Sequence, residues 1–239
     1  RLEVREIESE VSFTDYAGLV AVDHDENVAV GPDDRGNVFA YRPEELVVPQ
    51  VAFSNSGADV TSKIGSPDNS GFHAYADDFV QVDFGGVDVS LGARLVLRVK
   101  GFVQGEGAWK PYTGPPAVVV KTLDEGGKWV ERGRLKPRFE WSECVFDLSP
   151  FLPDRNGEIK VRLESVSHKC KYHEIDFAGL SPGPEPVKAV RNLPLLSADL
   201  GGEDISSLLN SSDNRYVTMS KGGKFSLSFA EEPQTLARR

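Results

Sequence analysis

Leu95, Leu97 and Val99 alternate with Val96, Arg98 and Lys100. A period of two belongs to a β-strand with one face on a core and the other toward water. The rhythm recurs along the chain. Cys144, Phe146 and Leu148 alternate with Glu143, Val145 and Asp147; Ile159, Val161 and Leu163 alternate with Lys160, Arg162 and Glu164; Ile175 and Phe177 alternate with Glu174 and Asp176. Residues 118–120 form an unbroken run of valines, the pattern of a more deeply buried strand. Turn residues punctuate these runs. Asp124-Glu125-Gly126-Gly127 predicts a hairpin, Pro153-Asp154-Arg155-Asn156-Gly157 breaks the chain before Ile159, and Ser149-Pro150-Phe151-Leu152 predicts one helical turn. The best helical candidate is the short stretch from Asp204 to Leu209. Many short strands joined by Gly/Pro turns predict an all-β chain, an antiparallel β-sandwich or barrel.

The alternating segments are repeated. Residues 1–19 align without a gap on residues 162–180, with Arg1/Arg162, Leu2/Leu163, Glu3/Glu164, Asp15/Asp176, Ala17/Ala178, Gly18/Gly179 and Leu19/Leu180 identical. Gly57-Ala58-Asp59-Val60-Thr61-Ser62 matches Gly202-Glu203-Asp204-Ile205-Ser206-Ser207, and Ser66-Pro67-Asp68-Asn69 matches Ser211-Ser212-Asp213-Asn214. Val80, Val82 and Phe84 correspond to Phe225, Leu227 and Phe229. The order is the same in both copies, as in a tandem array. Three regions follow: residues 1–50, an N-terminal β segment with an acidic linker that ends one repeat unit; 51–185, a central β-sandwich domain; and 186–239, a C-terminal β module repeating 51–84. Ser181-Pro182-Gly183-Pro184-Glu185-Pro186 has the composition of a boundary.

The 239 residues are 39% hydrophobic and include thirteen Phe and three Trp, enough for a packed core. The formal charge of -10 speaks against nucleic acid and anionic membrane surfaces as partners. No stretch has the length of a membrane-spanning helix, so no membrane insertion is expected. The chain opens on Arg1 rather than Met, the mark of a processed or excised start. Its compartment is not specified. Two cysteines, Cys144 and Cys170, allow one bridge or two buried thiols.

The stretch from Trp141 to Leu180, with Phe151-Leu152-Pro153, Ile159, Val161, Leu163 and Tyr172-His173-Glu174-Ile175-Asp176-Phe177-Ala178-Gly179-Leu180, resembles the final half of a galactose-binding-like jelly roll. The pattern Gly202, Asp204, Ile205, Ser206, Leu208, Leu209, Asp213, Tyr216, Val217, Gly222, Leu227, Phe229 resembles β domains appended to bacterial and archaeal tetratricopeptide-repeat and related repeat proteins. The resemblance implies a jelly-roll sandwich in a modular protein and brings no catalytic residues with it.

Candidate chemistry is sparse. His168, Cys170 and His173, with Cys144, are zinc-type donors, but their spacing is none of the standard pairs, so no metal site is expected. Asp23-His24-Asp25-Glu26-Asn27 and Asp33-Asp34 carry oxygens of the kind calcium takes, without the EF-hand order. No cofactor is expected, with a structural calcium the one kept open. The loop Gly105-Glu106-Gly107-Ala108-Trp109-Lys110-Pro111-Tyr112-Thr113-Gly114 places Trp109 and Tyr112 beside Lys110. Such rings stack on sugars, or fold back to cover the end of the sandwich. Nucleophile-elbow, phosphate-loop and dinucleotide motifs are missing. The expectation is a non-catalytic β-sandwich module that binds or scaffolds within a larger protein, its partner a protein or a carbohydrate. The alternative is a carbohydrate-binding module using Trp109, Lys110 and Tyr112. An enzyme of unrecognised type ranks third.

Overall fold

The computed structural model describes residues 1–6, 11–33, 35–102, 117–138, 140–152, 158–166, 172–183 and 185–230. Trp109, Lys110, Tyr112, His168 and Cys170 lie outside them. The chain forms two compact units, one of residues 1–23 and 188–239, the other of residues 24–187. The sequence boundaries at 50 and 185 thus stand beside structural divisions at 23 and 187. The difference at the first of them arises because residues 24–50 pack on the larger unit.

The smaller unit opens the chain with β1 (Leu2–Arg5), β2 (Ser12–Thr14) and β3 (Leu19–Asp23). The larger unit follows with β4 (Ala29–Pro32), β5 (Val38–Tyr41), β6 (Val51–Ser54), helix α1 (Thr61–Ile64), β7 (Phe72–Tyr75), β8 (Phe79–Gly86), β9 (Ala93–Phe102), β10 (Ala117–Leu123), β11 (Trp129–Leu135), β12 (Ser142–Asp147), β13 (Glu158–Val166) and β14 (Tyr172–Pro182). The chain returns to the smaller unit with β15 (Ala189–Leu193), β16 (Leu195–Leu200), β17 (Glu203–Asp204), α2 (Ser206–Leu209), β18 (Val217–Met219) and β19 (Lys224–Phe229). The expected all-β antiparallel sandwich is what forms. No helix among the described residues is long and apolar enough to cross a membrane.

In the larger unit two antiparallel sheets face each other, one ordered β11-β10-β13-β8-β6 and the other β12-β9-β14-β7. The alternation read from the sequence sorts their side chains. Leu95, Leu97 and Val99 point inward and meet Val80, Val82, Phe84, Val118, Val120, Val161 and Leu163 in one core. Each such aliphatic side chain contributes roughly 1.5–3 kcal/mol by leaving water. The expected hairpin joins β10 to β11, where Asp124 Oδ1 accepts the amides of Gly126 and Lys128 at 2.9 and 2.8 Å and Gly127 takes a φ of +73°. Ser149–Phe151 forms the single helical turn, of 3-10 type.

His173 faces inward and is 1% exposed, with its Nδ1 2.9 Å from Ser165 Oγ. Burial pushes its pKa down to about 4. The unfolded chain then takes up a proton near pH 6.5 that the folded chain refuses until about pH 4. Stability therefore falls as the pH drops through that window. Relative to His173→Gln, the loss should reach roughly 3 kcal/mol, read as unfolding free energy against pH. A pH profile identical in the two proteins would refute this account.

Candidate functional site

The outer face of the β12-β9-β14-β7 sheet is divided in two. Over one half lies the β4–β5 hairpin, in the register Ala29 to Tyr41 through Pro32 to Val38. Asp33 closes its turn, accepting the amides of Arg35 and Asn37 on Oδ1, both at 2.8 Å. Tyr41 buries against Val96 and Val145, with Ala29, Phe39 and Leu46 around them. Gly31 comes so close that an added Cβ would lie 2.5 Å from Val145 Cγ2. Arg94 Nη1 donates to the Ala40 carbonyl at 2.6 Å, and Tyr41 Oη donates to Glu143 Oε2 at 2.6 Å. This cover is why Val96 and Val145, on the side read from the sequence as the water face, are fully buried.

The other half of the face has no such cover among the described residues and is polar and aromatic. Lys100 on β9 is registered with Glu174 on β14, and Glu174 with His73 on β7. Lys100 Nζ lies 2.8 Å from Glu174 Oε2, and His73 Nε2 lies 3.3 Å from Glu174 Oε1. Just before β12, the half-buried Trp141 indole packs against two cations, 4.4 Å from Lys100 Nζ and 4.5 Å from Arg98 Cζ. Tyr172 stacks on His73 at 4.4 Å and leans on the exposed Tyr75 at 5.3 Å. Burial and the charge of Glu174 push the Tyr172 hydroxyl pKa up.

Beside this row sits Asp176. The β14–β9 register passes from Ile175/Val99 directly to Phe177/Arg98, so Asp176 is the extra residue of a β-bulge. Its side chain is fully buried and ion-paired with Arg98, whose Nη2 also donates to Asn69 Oδ1 at 2.7 Å. No donor among the described residues reaches Asp176 Oδ1. The bulge also alters the predicted alternation. Ile175 joins the core, while Phe177, expected on the same face, pairs with Gly65 and turns the other way. Behind the bulge Gly71 is held tightly, since an added Cβ would lie 2.8 Å from the Ile175 carbonyl oxygen.

The residues proposed from sequence are not gathered here. Trp109, Lys110 and Tyr112, like His168 and Cys170, lie outside the described residues. His173, a donor considered for metal, faces the core on the opposite side of β14 from Glu174. Cys144 is a free cysteine on the inner face, its thiol pKa raised by burial. Among the described residues no three His, Cys, Asp or Glu side chains are grouped to hold a metal ion.

No protein-family model and no curated protein sequence matches the chain. The solved structures similar to it include TmCBM61 in complex with β-1,4-galactotriose, at 13% identity over 71% of this chain and 90% of that one, with a TM-score of 0.29. They also include an exo-β-agarase, at 10% identity over 76% of this chain and 24% of that one, TM-score 0.33. A third is a carbohydrate-binding module of the β-sandwich superfamily, at 9% identity over 72% and 56%, TM-score 0.24.

Proposed function

We propose that the larger unit is a carbohydrate-binding module that holds its ligand on the open half of this outer face. The observation that carries the reading is a sheet face, uncovered among the described residues, that bears Trp141, Tyr172, His73 and Tyr75 beside the pairs Arg98–Asp176 and Lys100–Glu174. Aromatic rings suit the apolar faces of a sugar, while guanidinium, ammonium and carboxylate groups suit its hydroxyls. The charges are already matched, Arg98 with Asp176 and Lys100 with Glu174. That balance favours a neutral polyhydroxylated ligand over a charged one. Both carboxylates are engaged in these pairs, so the set is read as one that binds rather than reacts.

A panel of neutral oligosaccharides, screened on an array and followed by calorimetry, tests the proposal. The wild-type protein should bind at least one. Trp141→Ala should weaken that binding by about tenfold or more, equivalent to roughly 1.4 kcal/mol, with the melting transition retained. Failure to retain any glycan, or equal binding by wild type and Trp141→Ala, would remove this site.

A further inference from the structure

Resting on the reading just given, we propose that the glycan lies across the strands rather than along them. The face then takes a stretch of about three sugars from within a linear, neutral chain. The strand register sets this direction. Ser142 is registered with Val99 and Glu143 with Arg98, so Trp141, one step earlier, falls opposite Lys100. Lys100 is registered with Glu174, and Glu174 with His73. Trp141, Lys100, Glu174 and His73 therefore form one row at right angles to the strands. Neighbouring strands lie about 4.8 Å apart, which makes the row about 14 Å long. A pyranose ring with its linkage is close to one strand spacing in length, so the row has room for about three.

The order of groups along the row suits such a chain. The Trp141 indole stands at one end, and His73, stacked on Tyr172, at the other. Between them lies the Lys100–Glu174 pair, at 2.8 Å. Sugars at the two ends meet aromatic surface. The sugar between them meets an ammonium and a carboxylate, each with hydrogen-bonding capacity beyond their own pair.

What stands beside the row excludes the other direction. Tyr41 Oη reaches Glu143 at 2.6 Å, Arg98 Nη2 reaches Asn69 Oδ1 at 2.7 Å, and Phe177 bridges Gly65. The first contact comes from the β4–β5 hairpin, the other two from the segment between α1 and β7. Over β12, β9 and β14 in turn they make a ledge parallel to the row. A chain laid along the strands would meet that ledge two residues from Lys100, within about 7 Å. A chain laid across them runs beside the ledge for the whole row. The row ends on β12 and β7, the edge strands of this sheet, with no further strand beyond either among the described residues. A glycan longer than the row can therefore continue past both ends, which is recognition within a chain and not at its terminus.

Calorimetry on the full chain is the test, with β-1,4-linked glucose, mannose, galactose and xylose oligomers from monosaccharide to hexasaccharide. In a series that binds, affinity should climb about tenfold or more from monosaccharide to trisaccharide and then level off. Reducing the terminal sugar of the hexasaccharide to its alditol should leave its affinity within about twofold. The His73 side chain is 48% exposed, so His73→Ala should keep the melting transition while weakening trisaccharide binding by about fivefold or more. Its loss should multiply with that of Trp141→Ala, because the two ends of the row contact different sugars. A monosaccharide bound as tightly as the trisaccharide overturns the proposal and leaves the site standing. So does a hexasaccharide that loses its affinity on reduction, or a trisaccharide indifferent to His73→Ala. No binding in any series, with none on the array, removes the site and this proposal together.

Discussion

Arg98→Met should lower the unfolding free energy of the larger unit by about 3–5 kcal/mol, the usual consequence of removing one member of a buried ion pair. The reason lies with the partner left behind. Asp176 is wholly out of solvent, its Oδ1 has no donor among the described residues, and its other oxygen depends on Arg98. The arginine is itself only 21% exposed, between the carboxylate and the Trp141 indole. A methionine of similar length keeps much of the packing and removes the charge. Adding Asp176→Asn to Arg98→Met should recover a large part of the loss, because an amide without a partner costs less than a carboxylate, about 1–3 kcal/mol. Denaturant unfolding of both single variants and the double variant measures the coupling. Strictly additive losses would mean that the two side chains do not depend on each other.

Leu163→Ala should cost about as much for a different reason, about 3–5 kcal/mol of cavity and lost apolar burial. Leu163 is registered with Val80 on one side and Val120 on the other, in the middle of the five-stranded sheet, and is 0% exposed. The β-strands around it cannot collapse into the space without breaking their own hydrogen bonds. The loss should appear in the midpoint of unfolding with the denaturant slope unchanged. A change below about 1 kcal/mol would place Leu163 outside the well-packed core.

The inner face of this fold was legible residue by residue. Leu95, Leu97, Val99, Val161 and Leu163 stand where a period of two puts them, because side-chain direction in a strand follows from the backbone alone. The outer face was not legible, for two physical reasons. Val96 and Val145 looked like members of a water face, and their burial depends on a hairpin more than fifty residues away in the chain from either. The bulge at Asp176 inserts one residue into β14, so Ile175 and Phe177, two apart in sequence, leave on opposite faces. Strict alternation contains no sign of that insertion.

The candidate site was missed for a related reason. Trp109 and Tyr112 stand out in the sequence because they are loop aromatics between glycines and prolines. Trp141, His73 and Tyr172 come from three separated segments and meet only through strand pairing. One signal was present. Arg98 and Lys100 occupy successive outward positions of one strand, and Glu174 and Asp176 fall two apart in another. Opposite charges at matching spacing are what two adjacent strands use to face each other.

The β4–β5 hairpin leaves a design latitude that the sandwich does not share. Its turn is closed locally by Asp33, and its strands contribute nothing to the two core sheets. Insertions and deletions are tolerated best in such surface connections. A longer hairpin would widen the roof over this face, and a shorter one would bare Val96 and Val145. Divergence among descendants of this fold could therefore retune what the exposed face accepts by editing the length of one ribbon, while the hydrophobic interior remained under its own separate constraint.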